Sequence, residues 1–210
     1  MRYLDHPALR ELAAAISDAD SADQSIDARL ELYTLDSHQS DSTSEPGSSL
    51  LLHKSAKQLM HYFVTALSET FPDYKFDGLS QASFAKRDDM NAVVNYINQT
   101  LGCALERTYP KVVPDLWRTL RQVIQFTDCD LFELVHDVID EAKLWSFCYF
   151  WFDRKHHRIL LLSCRSRSRI FRTASDTEES LMSWDDQRSA SSRADGGFSI
   201  DGLSSSNEDD

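Results

Sequence analysis

Glycine and proline are scarce in this chain, with six and five in 210 residues. No G-x-x-x-x-G-K-[ST] phosphate loop, G-x-G-x-x-G turn, G-x-S-x-G elbow or H-E-x-x-H pair is present. Cys103, Cys129, Cys148 and Cys164 form no C-x-x-C pair to hold zinc, and they read as buried small hydrophobes. Long apolar runs are missing too, since nothing approaches the roughly 18 apolar residues of a membrane span. Met1-Arg2-Tyr3-Leu4-Asp5-His6-Pro7 does not lead into the apolar stretch of a secretory signal, so a cytosolic or nuclear protein is expected. Basic residues are in deficit, 22 Lys and Arg against 34 Asp and Glu, for a net charge of −12. A general nucleic-acid coat needs the opposite balance.

With 41% hydrophobic residues the chain can bury one core. Residues 36–49 contain no aliphatic or aromatic side chain and cannot offset the entropy of ordering, so a mobile Ser-rich loop is expected over 36–50. From 173 to 210 the chain becomes a Ser-rich acidic tail, expected to be disordered. Its ten carboxylates face only Arg188 and Arg193, a net of −8 that leaves −4 of the −12 for residues 1–172. The expected division is one domain in two parts, 1–35 and 51–172, with a loop and a tail.

Periodicity supplies the elements. Pro7 suits a first helical position, and Leu9, Leu12, Ala13 and Ile16 define a short amphipathic helix over 7–17. Residues 25–34 alternate, with Ile26, Ala28, Leu30 and Leu32 on one face and Asp27, Arg29, Glu31 and Tyr33 on the other, as in a half-buried strand. Ser55 and Gln58 resemble a capping box ahead of Leu59, Phe63, Ala66 and Leu67. Asp88 or Asp89 caps a helix with Met90, Val93, Val94, Ile97, Leu101 and Leu105 on one side. Another starts at Pro114 with Leu116, Trp117, Leu120 and Ile124 facing inward. Residues 144–152 are apolar on both faces, as in a central strand, and 158–164 return after a charged turn as a second buried strand. The expected fold is α/β: a central antiparallel sheet with helices packed on its faces, and not a Rossmann fold, because strands and helices do not alternate.

Chemistry is thin. His156 and His157 are neighbours in the turn and cannot both reach one ion from a strand, so a solvent-exposed turn is expected in place of a metal site. Asp128, Asp130, Glu133, Asp137, Asp140 and Glu141 read as a solvated face, lacking the glycine-containing loop of a calcium site. No cofactor or metal is expected. Arg172-Thr173-Ala174-Ser175 fits a basophilic kinase, while Ser175-Asp176-Thr177-Glu178-Glu179 and Ser206-Asn207-Glu208-Asp209 fit acidophilic ones. The run Arg165-Ser166-Arg167-Ser168-Arg169-Ile170-Phe171-Arg172 reads either as a nuclear-import or RNA-contact segment or as charge balance for the tail.

The strand pair carries a resemblance. Leu144-Trp145-Ser146-Phe147-Cys148-Tyr149-Phe150-Trp151-Phe152, then Arg158-Ile159-Leu160, then Ser163-Cys164-Arg165-Ser166, resembles the signature box of the Maf repressors of RNA polymerase III transcription, L-W-S-F-N-Y-F-F-Y followed by R-I and S-C-R-S. Cys148 stands for the usual Asn, and Asp153-Arg154 for Asn-Lys. Phe71-Pro72-Asp73-Tyr74-Lys75-Phe76 resembles the family's P-D-Y-D-F, with Lys75 for the second acid. Met1-Arg2-Tyr3-Leu4, Arg29-Leu30-Glu31-Leu32-Tyr33, the helix from Asn91 and Pro114-Asp115-Leu116-Trp117 follow in the family's order, so the likeness covers about residues 1–170.

The acidic charge and the lack of a heptad run favour a monomer, and the resemblance implies a non-enzymatic regulator that shuttles between nucleus and cytoplasm. It would bind RNA polymerase III subunits, block engagement with the initiation factor that carries TATA-binding protein, and lower tRNA and 5S rRNA synthesis. It would not bind DNA sequence-specifically. Kinases and phosphatases would control it. The loop lacks Arg-x-x-Ser, so control moves to Ser175, Thr177 and Ser206, with Ser42 and Ser44 as the loop candidates. Trp145, Ser146, Phe147, Tyr149, Phe150, Cys164 and Arg165 are the signature, read mainly as packing. Asp73, Tyr74, Phe76, Lys155 and Arg158 are the partner-binding candidates. Two other classes remain: a small-molecule-sensing α/β domain, which a buried polar cleft near Tyr149 would support, and a thiol enzyme using Cys164 with a nearby histidine.

Overall fold

In a computed structural model, residues 1–19, 21, 23–35, 48–135 and 143–169 are described, the side chains of 48–55 excepted. The two most hydrophobic segments meet first. Strands β5 (Lys143–Asp153) and β6 (Arg158–Ser168) form an antiparallel hairpin from Asp153↔Arg158 to Trp145↔Ser166, with a register shift between Lys143 and Trp145. Because β5 is apolar at every position from 147 to 151, it needs cover on both sides, and it lies near the centre of the sheet. The order is β1-β2-β6-β5-β4-β3, antiparallel throughout, with β1 Arg2–Leu4, β2 Gln24–Thr34, β3 Phe84–Arg87 and β4 Cys129–Leu134.

Two cores sandwich this sheet. On one face, Phe147, Tyr149 and Trp151 pack with Ile26, Ala28, Leu30 and Leu32 of β2. Three helices cover them through Leu9, Leu12 and Ile16 of α1 (Pro7–Asp18), Val93, Ile97 and Leu101 of α3 (Met90–Ala104), and Leu116 and Leu120 of α4 (Val112–Val123). On the other face Cys148, Phe150, Ile159 and Leu161 meet Phe63, Ala66 and Leu67 of α2 (Ser48–Thr70). Phe63 is the hub there, its ring 4.5 Å from Phe150 and 5.1 Å from Phe132. This is the expected α/β architecture, an antiparallel sheet with helices on both faces.

Several elements depart from the pattern. Helix α2 starts at Ser48, not at a cap on Ser55, because the leucine run at 50–52 favours helix over loop. The rest of the Ser-rich segment, 36–47, lies outside the described residues, as does the acidic tail. Helix α4 starts at Val112, two residues before Pro114, where a missing N–H costs nothing because the first turn has no intrahelical acceptor. Strand β2 is more than half-buried: Tyr33, on its nominally polar face, is fully buried under α2. Its hydroxyl donates to Glu31 and meets Thr70 Oγ1 at 3.1 Å, while Thr70 Oγ1 also lies 2.7 Å from Glu31 Oε2. Burial and the Glu31 bond push the Tyr33 phenol far above its ordinary range. Strand β6 continues four residues past Cys164, with Ser166 fully buried.

The cysteines divide. Cys148 and Cys164 are buried, but Cys129 is half-buried and Cys103 exposed, since Cys103 falls on the outer side of α3 away from Val93, Ile97 and Leu101.

Candidate interaction surface

Among the described residues no His, Cys, Asp and Glu cluster could hold a metal ion, and no helix is long and apolar enough to cross a membrane. Cys164 is 1% exposed, and burial, reinforced by Asp27, pushes its thiol far above the ordinary range. A thiol held protonated in a sealed core is no nucleophile, which removes the thiol-enzyme reading at this residue. Burial likewise pushes Cys148 up to about 12.

The signature aromatic residues lie in the sheet's interior. Phe147, Tyr149 and Phe150 are buried, Trp145 and Ser146 are half-buried, and Trp145 stacks on Phe147 at 6.0 Å. Their side chains hold the sheet together and leave little to display.

Arg165 ties the two sequence boxes together. It sits on the α2 side of β6, directly opposite Asp27 of β2, and donates to Asp27 Oδ2 through Nη2 at 2.6 Å and Nε at 3.0 Å. Its third nitrogen, Nη1, donates to the Tyr74 hydroxyl at 3.1 Å, and Arg167 Nη2 donates to the same oxygen at 3.2 Å. The guanidinium also stands 5.5 Å from the Phe71 ring and 5.6 Å from the Tyr74 ring. Burial works against its charge, but the bonds to Asp27 and Tyr74 outweigh it and raise the pKa above the ordinary value. The basic run is therefore corrected in part. Its first four residues belong to a strand, and Arg165 is turned inward with its side chain 13% exposed, so it cannot serve as an import signal or RNA contact; residues 170–172 lie outside the described residues.

This clamp fixes the turn after α2. Asp73 and Lys75 remain exposed on it, Tyr74 is half-buried with its hydroxyl committed, and Phe76 is 3% exposed. Phe76 thus belongs to the α2-side core, because the chain must turn back into the sheet between Phe71 and Leu79.

A second rigid turn closes the hairpin. Asp153 is buried and accepts from the His156 backbone N–H at 3.0 Å, with His156 Nδ1 2.8 Å from its other oxygen. Burial opposes its ionisation, but these bonds prevail and hold its pKa below the usual carboxylate value. His157 adopts a left-handed φ of 49°, and its carbonyl accepts from Leu35 N–H at 2.8 Å. Lys155 is exposed and Arg158 half-buried. His156 and His157 are exposed, as expected of a turn. In the supposed carboxylate face, Asp130 binds Lys86 at 2.9 Å and Arg154 at 2.6 Å, and Glu133 binds Arg87 at 2.5 Å. These ion pairs stitch β3, β4 and β5 together.

Periodicity alone missed a cleft of about 510 Å³ beside Tyr149, between β3, β4 and the start of α3. Glu133, Arg87 and Tyr96 line it with Tyr149, and it opens to solvent. Ser42, Ser44, Ser175, Thr177 and Ser206 lie outside the described residues.

The model of the Maf1 regulator family matches residues 5–163. A repressor of RNA polymerase III transcription from Dictyostelium discoideum is 27% identical over 122 residues, 56% of this chain and 44% of its own. Its Schizosaccharomyces pombe counterpart is 27% identical over 114 residues, 52% of this chain and 47% of its own. The chain thus spans about half the length of the curated relatives it matches. Crystal structures of citrus MAF1 in two crystal forms superpose with TM-scores of 0.54 and 0.58 at 17% and 18% identity. Each covers 77% of this chain and 99% of the citrus chain, which establishes a shared fold.

Proposed function

The chain belongs to the Maf1 regulator family, and on that premise we propose that it is a negative regulator of RNA polymerase III transcription. It acts by binding the polymerase and blocking its engagement with the initiation factor that carries TATA-binding protein, without catalysis and without reading DNA sequence. It works as a monomer, shuttles between nucleus and cytoplasm, and is controlled by kinases and phosphatases acting on Ser175, Thr177, Ser206, Ser42 or Ser44.

The observation that carries the reading is the alignment with two curated relatives, each named a repressor of RNA polymerase III transcription. The Arg165–Tyr74 contact supports it physically, because two separate sequence boxes typical of that resemblance fold against each other. The acidic balance of the chain suits a basic partner surface, since complementary charge speeds encounter and rejects wrong partners. Exposed Asp73, on the turn that the Arg165–Tyr74 bond pins, is the side chain we assign to that basic surface, and exposed Lys155, on the hairpin turn, would pair with a carboxylate of the partner.

The test is capture of tagged full-length chain from nuclear extract, with and without phosphatase, alongside tRNA-gene run-on transcription after depletion. The reading requires polymerase III subunits to be recovered preferentially with the dephosphorylated form and tRNA synthesis to rise on depletion. No recovery and unchanged tRNA output would refute it. The cleft beside Tyr149 favours a second reading, a small-molecule-sensing domain. Thermal stabilisation by a metabolite, with no polymerase recovered, would put that reading first.

A further inference from the structure

Strand β2 has an open stretch on its β1 side. β1 pairs only with the end of β2, from Arg2↔Thr34 to Leu4↔Leu32. In a continued ladder His6 would stand opposite Leu30, but the His6 carbonyl accepts from the Leu9 and Arg10 N–H groups at 3.0 and 3.1 Å and opens α1 instead. Two residues back along β2, the Ala28 N–H donates to Ser17 Oγ at 3.0 Å, so the even-numbered residues of this strand turn their backbone groups to the β1 side. Between these two ends the Leu30 N–H and C=O face outward, and neither has a partner among the described residues. Leu30 is only 3% exposed, and a buried backbone donor and acceptor left unpaired are costly. Their pairing is what an added strand supplies.

The recess around Leu30 has a volume of about 440 Å³. Ala13 and Ala14 of α1 line one side, and with no side chain beyond Cβ they let another backbone approach. Arg29 and Glu31 line the α2 side. From Ala28 to Glu31 the edge runs about 10 Å, room for three residues of an extended chain. The β2 edge of a second copy does not reach it, because the matching stretch is recessed in the same way between β1 and Ser17. A linear peptide does.

The flanking side chains select that peptide. Glu31 accepts from the Tyr33 and Thr70 hydroxyls through Oε2, and no cation pairs with it among the described residues. Arg29 reaches Asp27 Oδ1 at 3.1 Å, but Arg165 holds Asp27 Oδ2 at 2.6 Å, so two guanidiniums share one carboxylate. In an antiparallel addition that continues β1, the incoming residue opposite Leu30 exchanges both backbone bonds with it, its side chain meets Ala13 and Ala14, and its neighbours fall opposite Glu31 and Arg29. We infer that this edge binds an extended segment of a partner protein, with a basic residue opposite Glu31, a small residue opposite Leu30 and an acidic residue opposite Arg29. The inference goes beyond the polymerase reading and does not rest on it.

The probe is the blocked peptide acetyl-Lys-Ala-Glu-amide, added to ¹⁵N-labelled full-length chain, with amide shifts and amide hydrogen exchange as readouts. Saturable shifts centred on Arg29, Leu30 and Glu31 and slowed exchange at the Leu30 N–H are expected, while the Ala28 N–H, already bonded to Ser17, keeps its rate. The same peptide with an N-methylated alanine cannot donate to the Leu30 carbonyl and should bind about tenfold more weakly. Glu31→Gln, which keeps an acceptor oxygen for Tyr33 and Thr70, should weaken the parent peptide by about fivefold. Exchange at Leu30 that slows at no peptide concentration overturns the inference. So does equal binding of the N-methylated peptide, which would mark a charge contact without strand pairing. Leu30 protection already complete in the free chain, or rising with chain concentration alone, also overturns it, since the edge would then be filled by the chain itself or by a second copy.

Discussion

Arg165 and Tyr74, 91 residues apart, are joined by a 3.1 Å hydrogen bond from guanidinium to phenol. The same guanidinium holds Asp27 of the neighbouring strand with two nitrogens. One side chain therefore fixes β2 to β6 and pins the turn after α2 over both. Lysine cannot reproduce this arrangement, because an ammonium lacks the planar fork that serves both partners while lying against two rings. Arg165→Lys should lower unfolding free energy by about 2 kcal/mol and Tyr74→Phe by about 1 kcal/mol, read by urea denaturation. The double variant should cost less than the sum, because the two residues share a bond.

The Tyr33 network is a second clamp, between β2 and α2. Removing its hydroxyl in Tyr33→Phe leaves Glu31 without one of its two donors, at a cost of about 1–2 kcal/mol. Thr70→Val should cost a similar amount, and thermal melts of the two single variants and the double variant would expose their coupling.

Much of this was legible in the sequence, and the exceptions share a cause. The β5–β6 hairpin could be read because both strands are apolar on both faces, and α3 because Asp89 caps a clean apolar stripe. Strands β3 and β4 are hidden: Asp130 and Glu133 read as part of a solvated carboxylate face until Lys86, Arg87 and Arg154 are known as their partners. Tyr33 falls on the face that alternation marks as polar, and Phe76 in a box read as partner-binding, whereas both are buried in the α2-side core. Arg165 looked like part of a basic tract, and only its registry with Asp27 reveals a structural ion pair. The cleft beside Tyr149 left no periodic signal, since it is formed where three elements diverge.

The hairpin turn should respond to acid. Asp153 has a folded pKa below its unfolded value, so its stabilising effect is complete above the ordinary carboxylate pKa of about 4 and is lost as pH falls through the lower folded value. Asp153→Asn should flatten that part of the stability curve below about pH 4 and lower stability at neutral pH, as followed by denaturation at stepped pH.

Thiol accessibility should separate the cysteines. A maleimide reagent should label Cys103 first in the native chain, with Cys129 slow because burial and Asp153 push its thiol up to about 12. Cys148 and Cys164 should react only on unfolding, and mass spectrometry of the labelled peptides resolves the order.

The most direct test of the functional account uses purified components: RNA polymerase III, its TATA-binding-protein-containing initiation factor, a tRNA gene and the dephosphorylated full-length chain. The account predicts that the chain binds the polymerase directly and inhibits transcription when added before the initiation factor, with inhibition relieved by excess factor. Failure to bind the polymerase, or transcription that proceeds undiminished at saturating chain, would contradict it.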